Sequence, residues 1–247
     1  MNLCQLRNKR TWCPIEQAIE DLREPIRNLL EQLHERIDAG DYRLIVGGDA
    51  SGRIPALIFT KVIREIYRNK GFDIPQTLTT FIAGGERGNN PEEKRSEIKA
   101  HIENNYVGDN LGQIDISIID KIKSILGMPI SRYNGRVLII EDTICSGISI
   151  KPVTDTLRSM NVDYDIVSMG LDAWDHKRVE LKKKLGGEIY HAINDTPDIY
   201  GKNSLAGVRK NRGDLSSEPN ISERSNKARE DVQMVADELT IWYLSKY

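Results

Sequence analysis

Residues 136–150 read Arg-Val-Leu-Ile-Ile-Glu-Asp-Thr-Ile-Cys-Ser-Gly-Ile-Ser-Ile. The apolar run Val137–Ile140 predicts a buried strand, and that strand would deliver two adjacent carboxylates, Glu141 and Asp142, to its carboxyl end. Small and hydroxyl residues follow, with Ser146, Gly147 and Ser149 among them, before a helical periodicity begins at Ile150. Backbone amides in such a loop, together with a helix N-terminus, attract phosphate. Paired carboxylates in the same place hold sugar hydroxyls or a hard metal ion. The combined expectation is a ligand that is both a sugar and a phosphate.

A second stretch carries related chemistry. Gly47-Gly48-Asp49-Ala50-Ser51-Gly52-Arg53 sits between an apolar run and a helical pattern. Glycines let backbone amides approach a ligand closely, and the Arg53 guanidinium is suited to gripping two phosphate oxygens at once. Asp49 would serve as a metal contact or simply as a helix cap. Glycine-rich turns between strand and helix also occur without any ligand, so this stretch gains its meaning from the first one.

The elements that must position these residues follow from periodicity. Tyr42–Gly47, Thr77–Ala83, Val137–Ile140, Asp165–Gly170 and Glu188–Ile193 read as strands, and 53–69, 150–160 and 175–185 as helices. Strands alternating with helices predict an α/β fold: a mostly parallel five-stranded sheet with helices on both faces. In such sheets ligands bind beyond the carboxyl ends of the strands.

Ahead of this core, Ile15, Ile19, Leu22, Ile26, Leu29, Leu33 and Ile37 mark an amphipathic helical region, broken or kinked near Pro25. It is expected to pack on the chain's own core, and a homodimer seam is the alternative use of its apolar face. After the core, Ser222 is placed to cap a final helix bearing Val232, Val235, Leu239 and Trp242. The expected organisation is a helical extension over 1–41, a core over 42–195, and an irregular segment with a C-terminal helix over 196–247.

The run V-L-I-I-E-D-T-I-C-S-G-I-S over 137–149 resembles the phosphoribosyl diphosphate (PRPP) motif of the type I phosphoribosyltransferases. The resemblance implies that family's fold over roughly 42–195, and Mg²⁺-dependent transfer of a 5-phosphoribosyl group from PRPP to a nucleobase-like acceptor with release of pyrophosphate. It implies that Glu141 and Asp142 grip the ribose hydroxyls, with Asp142 also a metal contact, although Mg²⁺ would be held mainly by PRPP oxygens. Thr143, Ile144, Cys145, Ser146, Gly147 and Ser149 would form the 5′-phosphate loop. Ser51, Gly52 and Arg53 would form the diphosphate loop, making Arg53, Glu141 and Asp142 the catalytic set. Family members carry a mobile loop between the second and third of these strands; here that place is taken by 84–112, with Arg87, Lys94 and Arg95 as cations to reach the diphosphate.

Two departures from the motif narrow the acceptor. Thr143 stands where an aliphatic residue is usual, and Cys145 where the 6-oxopurine enzymes carry a proton-handling aspartate. A hypoxanthine–guanine type of activity is therefore not expected. Cys145 is expected to be a small packing residue, although a helix N-terminus would lower its pKa. The acceptor would be held by a hood from 1–41, 194–220, or both; Tyr190, Trp174 and Tyr200 are aromatic candidates for stacking.

Composition bounds the alternatives. The chain has 247 residues and a formal net charge of −2, so no global electrostatic case for nucleic acid or membrane exists. Cys4, Cys13 and Cys145 show no paired spacing, which fits a reducing, cytoplasmic setting, and the N-terminus lacks the apolar run of a signal peptide. His34, His101, His176 and His191 have no metal-ligand spacing. A non-catalytic sensor of PRPP or a nucleotide, on the same fold, is the principal alternative. A receiver-type signalling domain, with Asp172 as phosphoacceptor, is the remote one.

Overall fold

Alternation along the strands separates the core into two layers. In β1 (Tyr42–Gly47), Leu44 and Val46 face one way and Ile45 the other; in β3 (Arg136–Ile144), Val137 and Ile139 oppose Leu138 and Ile140. All of these side chains are buried, so the sheet carries apolar surface on both faces and must be covered twice. The computed structural model describes residues 15–48, 52–73, 76–79, 135–148, 150–159, 161–172, 175–194, 197, 199, 204–210 and 217–247.

The sheet is parallel. β1, β3, β4 (Tyr164–Leu171) and β5 (Glu188–Ile193) lie side by side in that order, and a short segment, β2 (Gln76–Thr79), pairs with the other edge of β1. After β1 the chain crosses to β2 on one side, whereas β3, β4 and β5 succeed one another on the other side. The direction of winding therefore reverses between β1 and β3. A crevice opens at such a switch point, beyond the carboxyl ends of the two strands.

One face is covered by α5 (Lys151–Ser159) and α6 (Asp175–Leu185), which bring Val153, Leu157, Leu181 and Leu185 onto Leu44, Val46, Val137 and Ile139. The other face is covered by α4 (Arg53–Lys70) and by α2 (Arg23–Gln32), with α1 (Gln17–Glu20), α3 (His34–Asp38) and α7 (Glu223–Lys246) packed around them. Ile19, Leu22, Ile26, Leu29 and Leu33 share one apolar cluster with Phe59, Ile63, Val235, Leu239 and Tyr243. Both terminal helical regions thus belong to the same core as the sheet. A small antiparallel pair, β6 (Val208–Lys210) and β7 (Ser217–Pro219), precedes α7.

Local chemistry explains the helix boundaries. The break near Pro25 falls before it, between Glu20 and Arg23, and Pro25 occupies the first turn of α2, where its missing N–H would have had no helical partner. Gly71 ends α4 at φ 75, and Phe72 N–H reaches the carbonyl of Tyr67 at 2.9 Å while its ring packs edge-on against the Tyr67 ring. Ser222 caps α7 as its position predicts. Its hydroxyl accepts from Ser225 N–H at 3.2 Å, and the Ser225 hydroxyl accepts from Ser222 N–H at 2.8 Å.

At the amino edge of the sheet a buried carboxylate ties the layers together. Asp165 is fully buried and accepts from the Tyr42 hydroxyl at 3.0 Å and from Arg136 Nε at 2.9 Å, with Arg36 Nε at 3.3 Å. Burial, reinforced by the Asp165 charge, pushes the Tyr42 phenol far up, so it serves as a donor. This hub joins α3 to β1, β3 and β4. No described helix is long and apolar enough to cross a membrane.

Candidate functional site

β1 stops at Gly47 and its neighbour β3 continues to Ile144, so Gly48 lies against the flank of β3. Gly48 N–H donates to Ile140 O at 2.8 Å, which fixes that approach. Here glycine is required. A Cβ on Gly48 would lie 2.1 Å from Glu141 Oε2 and 2.2 Å from its Cδ. A Cβ on Gly52 would lie 3.4 Å from the same Oε2 and 3.5 Å from Asp142 N. Gly48 and Gly52 therefore lie against the acid pair, although about ninety residues separate them in the chain.

Glu141 and Asp142 are 5% and 4% exposed. Burial first, and the Asp142 charge second, push the Glu141 carboxyl well above the usual carboxylate range. Burial and the neighbouring charge thus oppose ionisation of Glu141. A neutral carboxyl both donates and accepts hydrogen bonds, which suits it to a hydroxyl-bearing ligand. The adjacent Thr143 Oγ1 is buried and, among the described residues, has no hydrogen-bond partner.

The strand at this point is longer than the apolar run implies. Its end was expected at Ile140, with the loop beginning at Thr143. Instead β3 continues through Ile144, and Thr143 and Ile144 pair with Gly170 and Leu171 of β4. The cause is tertiary: β4 extends to Leu171 and supplies partners, and two β-branched residues follow the acids. The loop proper therefore begins at Cys145.

That loop is held from outside by α6. Lys184 Nζ donates to Ser146 O at 2.8 Å, and Gly147, at φ +68, sits so that a Cβ would meet Leu181 and Leu185 at 3.1 Å. Only glycine combines that backbone with that contact. Gly147 O then accepts from Lys151 N–H at 3.0 Å and opens α5. Ser146 is exposed.

Cys145 is exposed rather than packed, which corrects the expectation of a small packing residue. Its Sγ donates to Asp172 Oδ2 at 3.5 Å. Partial shielding of the sulfur, then the hydrogen bond and charge of Asp172, push the thiol up to about 11. Proximity to a helix N-terminus does not prevail: the neighbouring carboxylate opposes a thiolate, and Cys145 is not an activated nucleophile. Asp172, considered from sequence only as a phosphoacceptor, is thereby placed at the same edge. Its N–H donates to Ile144 O at 3.1 Å.

The remaining predicted residues are dispersed. Arg53 is the first residue of α4, directly after Gly52, and so flanks the acid pair. Asp49, Ser51, Ser149, Arg87, Lys94, Arg95, Trp174, Tyr200 and His101 lie outside the described residues, as do 80–83 of the second predicted strand. Tyr190 lies on β5, half-buried against the main apolar cluster. His34 stacks on Tyr247 at 4.8 Å, and His191 bonds Asn194 Oδ1 at 3.0 Å.

Hard oxygen donors are what Mg²⁺ selects, and Glu141 with Asp142 supplies them. No group of three or more ligating side chains occurs among the described residues. A metal here would thus take most of its ligands from a substrate and water.

A cleft of about 690 Å³ opens at the opposite, amino edge of the sheet, lined by Arg136, Arg158, Tyr164, Lys182, Gly186 and Glu188 among others. Its size does not make it the site. Arg136 is committed to Asp165, Arg158 pairs with Asp155, and Lys182 with Glu188 at 2.6 Å. The C-terminal ends of α5 and α6 meet there, and their carbonyls favour those cations over any added anion.

No family model matches this chain, and no curated protein matches it at a significant level.

Proposed function

We propose that the crevice between β1 and β3 binds PRPP and that the protein transfers its 5-phosphoribosyl group to a nucleobase-like acceptor, releasing pyrophosphate. The observation that carries this reading is the convergence of Gly48 and Gly52 on the Glu141 carboxyl at the switch point of the sheet. Two phosphate-suited turns flank one pair of acids, an arrangement suited to a sugar with phosphate groups at both ends. Within the same proposal, the order β2-β1-β3-β4-β5 is the five-stranded core of a type I phosphoribosyltransferase-like fold, with the terminal helices as additions to it.

In this reading Glu141 and Asp142 hold the ribose 2′- and 3′-hydroxyls. Loop residues from Cys145 to Ser149 hold the 5′-phosphate, and Ser51, Gly52 and Arg53 hold the diphosphate. Cleavage of the C1–diphosphate bond builds positive charge on the sugar ring and negative charge on the leaving group. Preorganised amides and the Arg53 guanidinium stabilise the latter. Mg²⁺, when bound at Asp142 and substrate oxygens, would supply further neutralisation of the diphosphate.

The reading is tested by incubating the protein with PRPP and Mg²⁺, with and without a panel of nucleobases, and measuring pyrophosphate. Base-dependent release is expected. Tight PRPP binding with no base-dependent release would move the conclusion to a PRPP sensor, and absence of PRPP binding would reject both.

A further inference from the structure

Transfer to a nitrogen acceptor liberates a proton. As the nitrogen lone pair forms the bond to ribose C1, the bond from C1 to the diphosphate oxygen breaks and the diphosphate leaves with its electron pair. The N–H bond of the acceptor then releases H⁺, which needs a base. Neither acid on β3 is placed for that work: Glu141 and Asp142 are 5% and 4% exposed, and Glu141 is wedged against Gly48. The Cys145 thiol, which donates to Asp172 Oδ2 and is pushed up to about 11, is no base either.

Asp172 differs from all three. It is an exposed carboxylate directly after β4, anchored to the end of β3 by its own N–H on Ile144 O. Among the described residues, only the Cys145 thiol donates to its carboxylate. One oxygen is thus steadied by a neutral donor, and the carboxylate is exposed at the sheet edge.

We infer that Asp172 is the proton acceptor for the incoming nucleophile: its carboxylate takes the acceptor's N–H proton as the C1–N bond forms and passes it to water. Cys145 is a positioning residue that orients this carboxylate. The inference rests on the phosphoribosyl-transfer reading above and identifies the acceptor as a base that presents an N–H at its reacting position.

The test compares wild type with Asp172→Ala, Asp172→Asn and Asp172→Glu, using PRPP, Mg²⁺, a nucleobase panel and water as acceptors. PRPP affinity is measured separately by calorimetry. Expected are affinities within about threefold of wild type and turnover lower by roughly 10²–10⁴ in the Ala and Asn variants. Added formate should restore part of the Ala variant's turnover, and the Glu variant should keep more than either. Unchanged turnover in the Ala and Asn variants would overturn the assignment. So would loss of PRPP affinity in step with turnover and no response to formate, which is the signature of a structural residue. Wild type that binds PRPP but releases pyrophosphate to no acceptor also overturns it, leaving the donor site standing; failure to bind PRPP removes the donor site and this inference together.

Discussion

Glu141 is the residue on which the most physical chemistry converges. Its carboxyl is buried beside Asp142, so folding opposes its ionisation. For a carboxyl whose folded pKa is raised, the unfolded chain loses the proton first as pH rises. Stability is therefore fully retained below the ordinary glutamate pKa and falls as pH climbs toward the folded one, at up to about 1.4 kcal/mol per pH unit. Urea denaturation of the ligand-free protein across this window should show that decline, and Glu141→Gln should remove it. Parallel pH profiles for the two proteins would mean that Glu141 is ionised in the folded state. Gly48 is the counterpart. Gly48→Ala places a methyl on the Glu141 carboxyl and should destabilise by about 1–3 kcal/mol through overpacking. Most of that penalty should vanish in a Glu141→Gly background, because the clash partner is gone; an undiminished penalty would place the strain elsewhere.

At the scale of elements, the Asp165 hub holds the sheet's amino edge to the N-terminal helices. Asp165→Asn leaves Arg36 and Arg136 without their buried anion. The two guanidinium groups keep partial access to water, so a cost near the lower end of the range for a broken buried pair, about 3 kcal/mol, is expected in urea or thermal unfolding. A change under about 0.5 kcal/mol would show that the arginines are held by other partners.

Much of this level was legible in the sequence. Tyr42–Gly47, Asp175–Leu185 and Glu188–Ile193 have the bounds their periodicity predicts. The carboxyl end of β3 was not legible, because an apolar run stops at the first charge, whereas a ladder stops where its neighbour does. Gly48 and Asp172 show the same limit. Each looks like an ordinary turn or edge residue until the β1–β3 and β3–β4 pairings bring it beside Glu141 or Cys145.

Across the whole molecule, the candidate site lies at one edge of the sheet and the buried Asp165 hub at the other. The ends of β1 and β3 place Gly48 and the acid pair at the carboxyl edge, and the end of β4 adds Asp172. The terminal helices share the core on one face of the sheet. Calorimetric titration of wild type and Asp142→Asn with PRPP in Mg²⁺ tests the proposal that this edge binds PRPP. Saturable binding by wild type, weakened at least tenfold in a variant that stays folded, is the predicted result. No binding by wild type, or equal affinity in the two proteins, would contradict it.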